Sequence, residues 1–112
     1  MRVFAECLGK RIRQLRKAQK LRGKELAAYV GCDPSWISHI EAGDHTPSME
    51  LLQRIAQVLA VDEMDLCTFP EVNVRHEINE LTRHAPPEAL EEVAARLRRY
   101  ARPSRREPDR EE

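Results

Sequence analysis

Gly23-Lys24-Glu25-Leu26-Ala27-Ala28-Tyr29-Val30-Gly31-Cys32-Asp33-Pro34-Ser35-Trp36-Ile37-Ser38-His39-Ile40-Glu41-Ala42-Gly43 is the stretch whose pattern sets the architecture of this chain. Leu26, Ala27 and Val30 form the apolar stripe of a short helix, and Gly31 stands where a helix end takes a positive φ. Asp33 followed by Pro34 starts a second helix: an N-cap acceptor, then a proline at the first helical position, where its missing N–H costs nothing. Trp36, Ile37 and Ile40 supply the inward face of that helix, and Gly43 ends it. Two helices joined by a turn of about four residues make a helix-turn-helix. The offsets have a packing logic. Ala27 has to be small because the second helix crosses close to it, Gly31 supplies the turn's backbone angle, and Leu26, Val30, Ile37 and Ile40 lock the crossing.

Outward from this stretch, helical spacing continues in both directions and strand signals are nearly absent. Phe4, Leu8, Ile12 and Leu15 recur at steps of four and three, which predicts an amphipathic helix over 3–19. Residues 43–47 read as a loop. Ser48 caps a fourth helix with apolar positions Leu51, Leu52, Ile55, Ala56 and Leu59, and Asp62 starts a short fifth with Met64, Leu66 and Cys67. Pro70 closes the unit. Beyond it, Val74, Ile78 and Leu81 form one stripe and, after Pro86-Pro87, Leu90, Val93, Ala94, Leu97 and Tyr100 form another. These two helices have too little apolar surface for a core of their own, so they pack on the first domain, on a second copy of the chain, or on another protein. The expected fold is all-α: a five-helix domain over 1–69, a helical arm over 70–101, and a disordered tail over 102–112, where only Pro, Ser, Arg, Asp and Glu occur.

With 112 residues, 41% hydrophobic and 34% charged, the chain suits one small domain plus an appendage. Its net charge of zero hides an asymmetry: residues 1–24 hold nine Lys or Arg against one acid, and 25–69 hold one Arg against eight acids. Cys7, Cys32 and Cys67 match no zinc spacing and cannot all pair within the chain, which points to buried free thiols in a reducing cytoplasm. The N-terminus lacks the apolar run of a signal peptide, and no stretch approaches membrane-spanning length. Cys32, His39, Asp44 and His45 lie close in sequence, but their spacing fits no standard catalytic or metal site and no Gly-rich phosphate loop is present. Neither enzymatic activity nor a metal or cofactor is expected.

Ile12 to Arg16 (Ile-x-x-Leu-Arg), Glu25 to Ala27 (Glu-Leu-Ala), Ile37 to Gly43 (Ile-Ser-x-Ile-Glu-x-Gly), Pro47 to Leu52 and Leu59 to Asp62 together resemble the Cro/C1-type (XRE) repressor family of bacterial and phage regulators, with its lambda-repressor-like fold. The resemblance runs from about Leu8 to Cys67. It implies a cytoplasmic, nucleoid-associated bacterial regulator that binds an inverted-repeat operator on double-stranded DNA as a homodimer, with the helix at about 34–41 in the major groove. On that reading Pro34, Ser35, Ser38 and His39, with Trp36 at the margin, face the bases. Arg13, Lys17, Arg22, Lys24, His45 and Thr46 meet phosphates. The family pairs a first-helix arginine with the glutamate ending the recognition helix, here Arg16 and Glu41; a phosphate contact is the other role open to Arg16. His39 is either a base or phosphate contact or a solvated helix residue, and Trp36 is chiefly a packing residue. The dimer surface falls on Val74, Ile78, Leu81, Leu90, Val93, Leu97 and Tyr100, an arm resembling that of the biofilm and sporulation repressors of bacilli.

Three departures from the family bear on this reading. The Ser or Thr cap and phosphate-clamping Gln that usually begin the second helix are replaced by Arg22 and Gly23. A frequent base-reading position is Pro34, which has no side-chain donor, and the usually basic loop carries Asp44. These departures and the acidic 25–69 stretch support an alternative, a protein-interaction module that binds an antagonist or toxin. In a hybrid of the two, an antagonist captures the arm of a DNA-binding dimer.

Overall fold

The computed structural model of the protein describes residues 3–101, with Val3 described for its backbone alone. Seven helices follow in order: α1 (Val3–Ala18), α2 (Gly23–Val30), α3 (Pro34–Glu41), α4 (Met49–Leu59), α5 (Glu63–Leu66), α6 (Val74–Thr82) and α7 (Pro87–Arg98). No strand occurs among the described residues. The expected tail, 102–112, lies outside them.

The start signals work as side-chain chemistry. Asp33 Oδ1 accepts from Ser35 N–H at 2.8 Å, Ser48 Oγ from Leu51 N–H at 3.1 Å, and Asn73 Oδ1 from His76 N–H at 3.1 Å. Each satisfies a first-turn donor that the helix itself leaves unpaired. Where α2 lacks a Ser or Thr cap, Glu25 reaches back to accept from Arg22 N–H at 2.7 Å, the glutamate half of a capping box. Gly31 closes α2 at φ 79°, in the left-handed region as its position requires. Ala60 closes α4 the same way at φ 56° without being glycine, a choice no sequence rule anticipates.

Leu8, Ile12 and Leu15 of α1, Leu26, Ala27 and Val30 of α2, Ile37 and Ile40 of α3, five residues of α4, and Leu66 and Phe69 form one buried core. α1 packs on α3 and α5, α2 on α3 and α4, and α4 on α5. Two expectations need correction. Phe4 is not part of the buried stripe; it is exposed and rests on the ring of Phe69 at 5.8 Å. The three cysteines are free but half-buried at the rim rather than sealed inside. Burial still pushes the Cys67 thiol up, away from its reactive form.

α6 docks by its polar face. Arg11 on α1 is almost fully buried and donates from Nε to the Asp65 carbonyl at 2.8 Å and from Nη2 to Glu80 Oε1 at 2.5 Å. Asn79 donates to Thr68 Oγ1 at 2.5 Å, and Phe69 N–H donates to His76 Nδ1 at 2.8 Å, with the two rings stacked at 5.5 Å. Arg11 therefore leaves the basic footprint in which the sequence pattern counted it. Its guanidinium, by direct hydrogen bonding, holds the Glu80 carboxyl below its ordinary value of 4.5. A lowered carboxylate pKa stabilises the fold in full above the unfolded-state value and loses that contribution as pH falls through the folded one. The stability gap between the native chain and Glu80→Gln, read by urea denaturation, is therefore expected to be widest near neutral pH and to shrink steadily below about pH 4.5.

Candidate nucleic-acid interface

Helix α3 presents Pro34, Ser35, Ser38 and His39 to solvent, with Trp36 half-buried beside them. Ser35 does not have its hydroxyl proton to offer: Oγ donates to Asp33 Oδ1 at 2.7 Å. That bond and the backbone N–H hold the Asp33 carboxyl below the usual range. What Ser35 turns outward is lone pairs, suited to the exocyclic amino groups of adenine or cytosine in a major groove.

The loop after α3 folds back on it. Asp44 N–H donates to the His39 carbonyl at 3.0 Å, and His39 Nδ1 lies 3.5 Å from Asp44 Oδ2. The His45 ring stacks on Trp36 at 4.8 Å, with an angle of 27° between the planes, and meets the edge of His39 at 5.4 Å. Trp36 is thus a platform between core and loop. His45 lies flat on it, and His39 is left with Nε2 as its second nitrogen. Arg13 and Lys17 on α1, Arg22 and Lys24 at the start of α2, and Thr46 in the loop are all exposed.

The position of α3 is set by α1 at two points. Arg16 grips Glu41 with both prongs, Nε to Oε2 at 2.7 Å and Nη2 to Oε1 at 2.9 Å, and its Nη1 donates to the Leu21 carbonyl at 2.7 Å. The hydrogen bonds that Arg16 donates to Glu41 raise its pKa. Each guanidinium nitrogen is engaged within the protein and the side chain is 11% exposed, which favours the pair over a phosphate contact for Arg16. The second point is Gly9. A Cβ there would fall 2.2 Å from the Ile40 carbonyl oxygen and 2.8 Å from that of Glu41, so only a bare backbone lets α1 cross the end of α3. Sequence reasoning passed over both Gly9 and Arg11. A glycine inside a helix, where it costs about 0.5–1 kcal/mol against alanine, was a usable signal for the first. Nothing local marked the second.

Among the described residues, no group of three or more His, Cys, Asp or Glu side chains is arranged to hold a metal ion, and no helix is long and apolar enough to cross a membrane. A shallow groove of about 390 Å³ lies between α5 and α6, lined by Met64, Cys67, Ile78 and Thr82 among others and by no residue of α3. The arm does not roof the first domain. Val74, Ile78, Leu81, Leu90, Val93, Leu97 and Tyr100 are between 37% and 73% exposed, and neither α6 nor α7 contributes a buried residue.

A protein-family profile described as a helix-turn-helix domain matches residues 8–67. Multiprotein-bridging factor 1 of Candida albicans is 41% identical over 54 residues, covering 48% of this chain and 36% of its own length. The chain therefore spans little more than a third of that curated relative. Among solved structures, the restriction-modification controller protein C.AhdI of Aeromonas hydrophila is 29% identical with a TM-score of 0.54, covering 55% of this chain and 94% of its own. PlcR of Bacillus thuringiensis, solved with the peptide PapR7 and DNA, is 26% identical with a TM-score of 0.60, covering 85% of this chain and 31% of its own.

Proposed function

This chain belongs to the helix-turn-helix domain family, in its Cro/C1-type, lambda-repressor-like form, and on that premise we propose that it is a cytoplasmic bacterial transcriptional regulator, a repressor that binds an inverted-repeat operator as a homodimer. The observation that carries this reading is the bracing of α3. A helix whose outer face is small, polar and exposed is held at its far end by a bidentate buried ion pair and a glycine crossing. Rigidity of that kind suits a helix that must enter a groove in one pose. The domain comprises residues 1–69 and the arm 70–101. Ser35, Ser38 and His39 read bases, with Pro34 and Trp36 shaping the surface. Arg13, Lys17, Arg22, Lys24, His45 and Thr46 hold phosphates.

The second copy docks on the arm. Outward stripes on α6 and α7 are uncovered, and the charges of α7 are self-complementary. Glu88, Glu91 and Glu92 occupy its first half, Arg96 and Arg98 its end, and Arg99 follows it, with Arg98 also bonded to Glu91 along the helix at 3.1 Å. Antiparallel pairing about a two-fold axis sets acids against bases while burying Leu90, Val93 and Leu97.

Selection of bound fragments from random-sequence DNA, followed by a salt titration on the best sequence, tests the proposal. An inverted repeat with centres about 34 Å apart is expected, with affinity falling steeply as salt rises. Replacing Arg22 and Lys24 by alanine should weaken binding to all sequences alike. In a dimer it should also flatten the slope of log affinity against log salt by roughly 3–4, since each lost phosphate contact removes about 0.9. Recovery of no motif, with equally feeble binding at low salt, would favour the second reading, a protein-interaction module. The exposed arm and the bridging role in the Candida relative's name support that reading.

A further inference from the structure

α6 is amphipathic the unexpected way round. His76, Asn79, Glu80 and Arg83 fall on one side at helical spacing, and Val74, Ile78 and Leu81 on the other. In a helix that caps a globular core the apolar side turns inward. Here the polar side does. His76 accepts from the backbone of Phe69, Asn79 donates to the buried Thr68, and Glu80 receives the buried Arg11. Thr68 in turn donates to the Met64 carbonyl at 2.7 Å, and Arg83 Nε lies 3.5 Å from the same Glu80 oxygen that Arg11 holds. Apolar docking tolerates sliding and rotation, because the hydrophobic effect has no direction. Three directional contacts in a row do not: each is lost by a small shift, and buried polar groups left unmatched are costly.

Arg11 also sits where it links two tasks. On α1, Gly9 and Arg16 lie on one flank and hold α3 through Ile40, Glu41 and their carbonyls. Arg11 lies on the opposite flank by the 3.6-residue period and holds α6 and α5. One helix therefore braces the recognition helix on one side and the arm on the other.

We propose that the Arg11–Glu80 latch fixes the distance and rotation between the two recognition helices of the dimer, making Glu80 a positioning residue for half-site spacing. The inference rests on the dimeric regulator reading above. In that dimer the outward stripe of α6, Val74, Ile78 and Leu81, meets its copy at the two-fold axis alongside α7, so each recognition helix is located by the chain α3, α1, Arg11, Glu80, α6. A loose α6 would let the heads swivel, and operators of several spacings would then bind about equally well. The latched one selects a single spacing without any contact between Glu80 and DNA.

The test uses the full chain and its selected operator. Affinity is measured for the operator, for versions with one or two base pairs added to or removed from the centre, and for an isolated half-site, with sedimentation equilibrium run alongside. The variants are Glu80→Gln, which removes the counter-charge, and the double replacement Arg11→Met with Glu80→Leu, which substitutes an apolar pair and leaves no unpaired guanidinium on α1 should the first variant fold poorly. Half-site affinity and dimerisation are expected to stay within about twofold of the native chain. The preference for the native spacing over its neighbours is expected to fall by roughly tenfold, a typical coupling between distant sites. Unchanged spacing preference in a variant that still dimerises overturns the latch alone. A native chain with no spacing preference and no dimer overturns the regulator reading, and the latch with it.

Discussion

Glu41→Ala is expected to cost the folded domain about 3–5 kcal/mol, the usual penalty for removing one partner of a buried ion pair. Glu41 is 8% and Arg16 11% exposed, so little water remains to screen or replace the contact. Both carboxylate oxygens are occupied, and removing them leaves the guanidinium with one carbonyl, that of Leu21, inside the protein. Small domains hold only about 5–15 kcal/mol in total, so the variant sits near the edge of folding at ambient temperature. Urea denaturation is the measurement, read as a lower midpoint at unchanged slope. The double replacement Arg16→Met with Glu41→Leu separates charge from packing. Apolar residues of similar volume often match or exceed a buried pair, so most of the lost stability should return. A Glu41→Ala chain within about 1 kcal/mol of native would mean that solvent reaches Arg16 and that the pair is not what anchors α3.

That pair shows how far the sequence speaks and where it stops. Asp33-Pro34, Ser48 and Gly31 are local instructions, legible because capping and left-handed turns are chemistry between near neighbours. Arg16 and Glu41 became legible as a pair only through resemblance, since 25 positions and the whole of α2 separate them. Arg11 was not legible. An arginine on the flank of a basic helix reads as solvated, and its burial is decided by Glu80, 69 positions away. The α6 stripe at Val74, Ile78 and Leu81 is legible as apolar, but which side docks depends on an acceptor at Thr68 and a donor at Phe69 that no periodicity reveals. Ser35 illustrates the same limit at the interface. Its type suggests a donor or acceptor, and the Asp33 cap two residues earlier takes the donor away.

Gly9→Ala carries the second large effect, and its sign runs against the general rule. Alanine for glycine inside a helix ordinarily stabilises by about 0.5–1 kcal/mol, because the unfolded chain loses freedom. Gly23 should follow that rule: no atom lies within 4 Å of where its Cβ would stand, and Gly23→Ala is expected to be neutral or mildly stabilising. Gly9 should not, because its added methyl group would meet the carbonyls of Ile40 and Glu41, which are backbone and have no rotamer to retreat into. α1 and α3 must move apart, opening the core where Leu8 and Ile12 of α1 lie buried with Ile40 of α3. Overpacking of this kind costs about 1–3 kcal/mol, to which the forfeited glycine-to-alanine gain is added in the comparison with Gly23→Ala. Binding should suffer more than stability, since a functional side chain must be held to within about 0.5 Å and the displaced element is the helix proposed to enter the groove. Urea midpoints and operator affinities for both variants decide the matter. A Gly9→Ala chain as stable as Gly23→Ala, with native affinity, would mean that α1 does not set the position of α3, and the bracing that supports the regulator reading would fall with it.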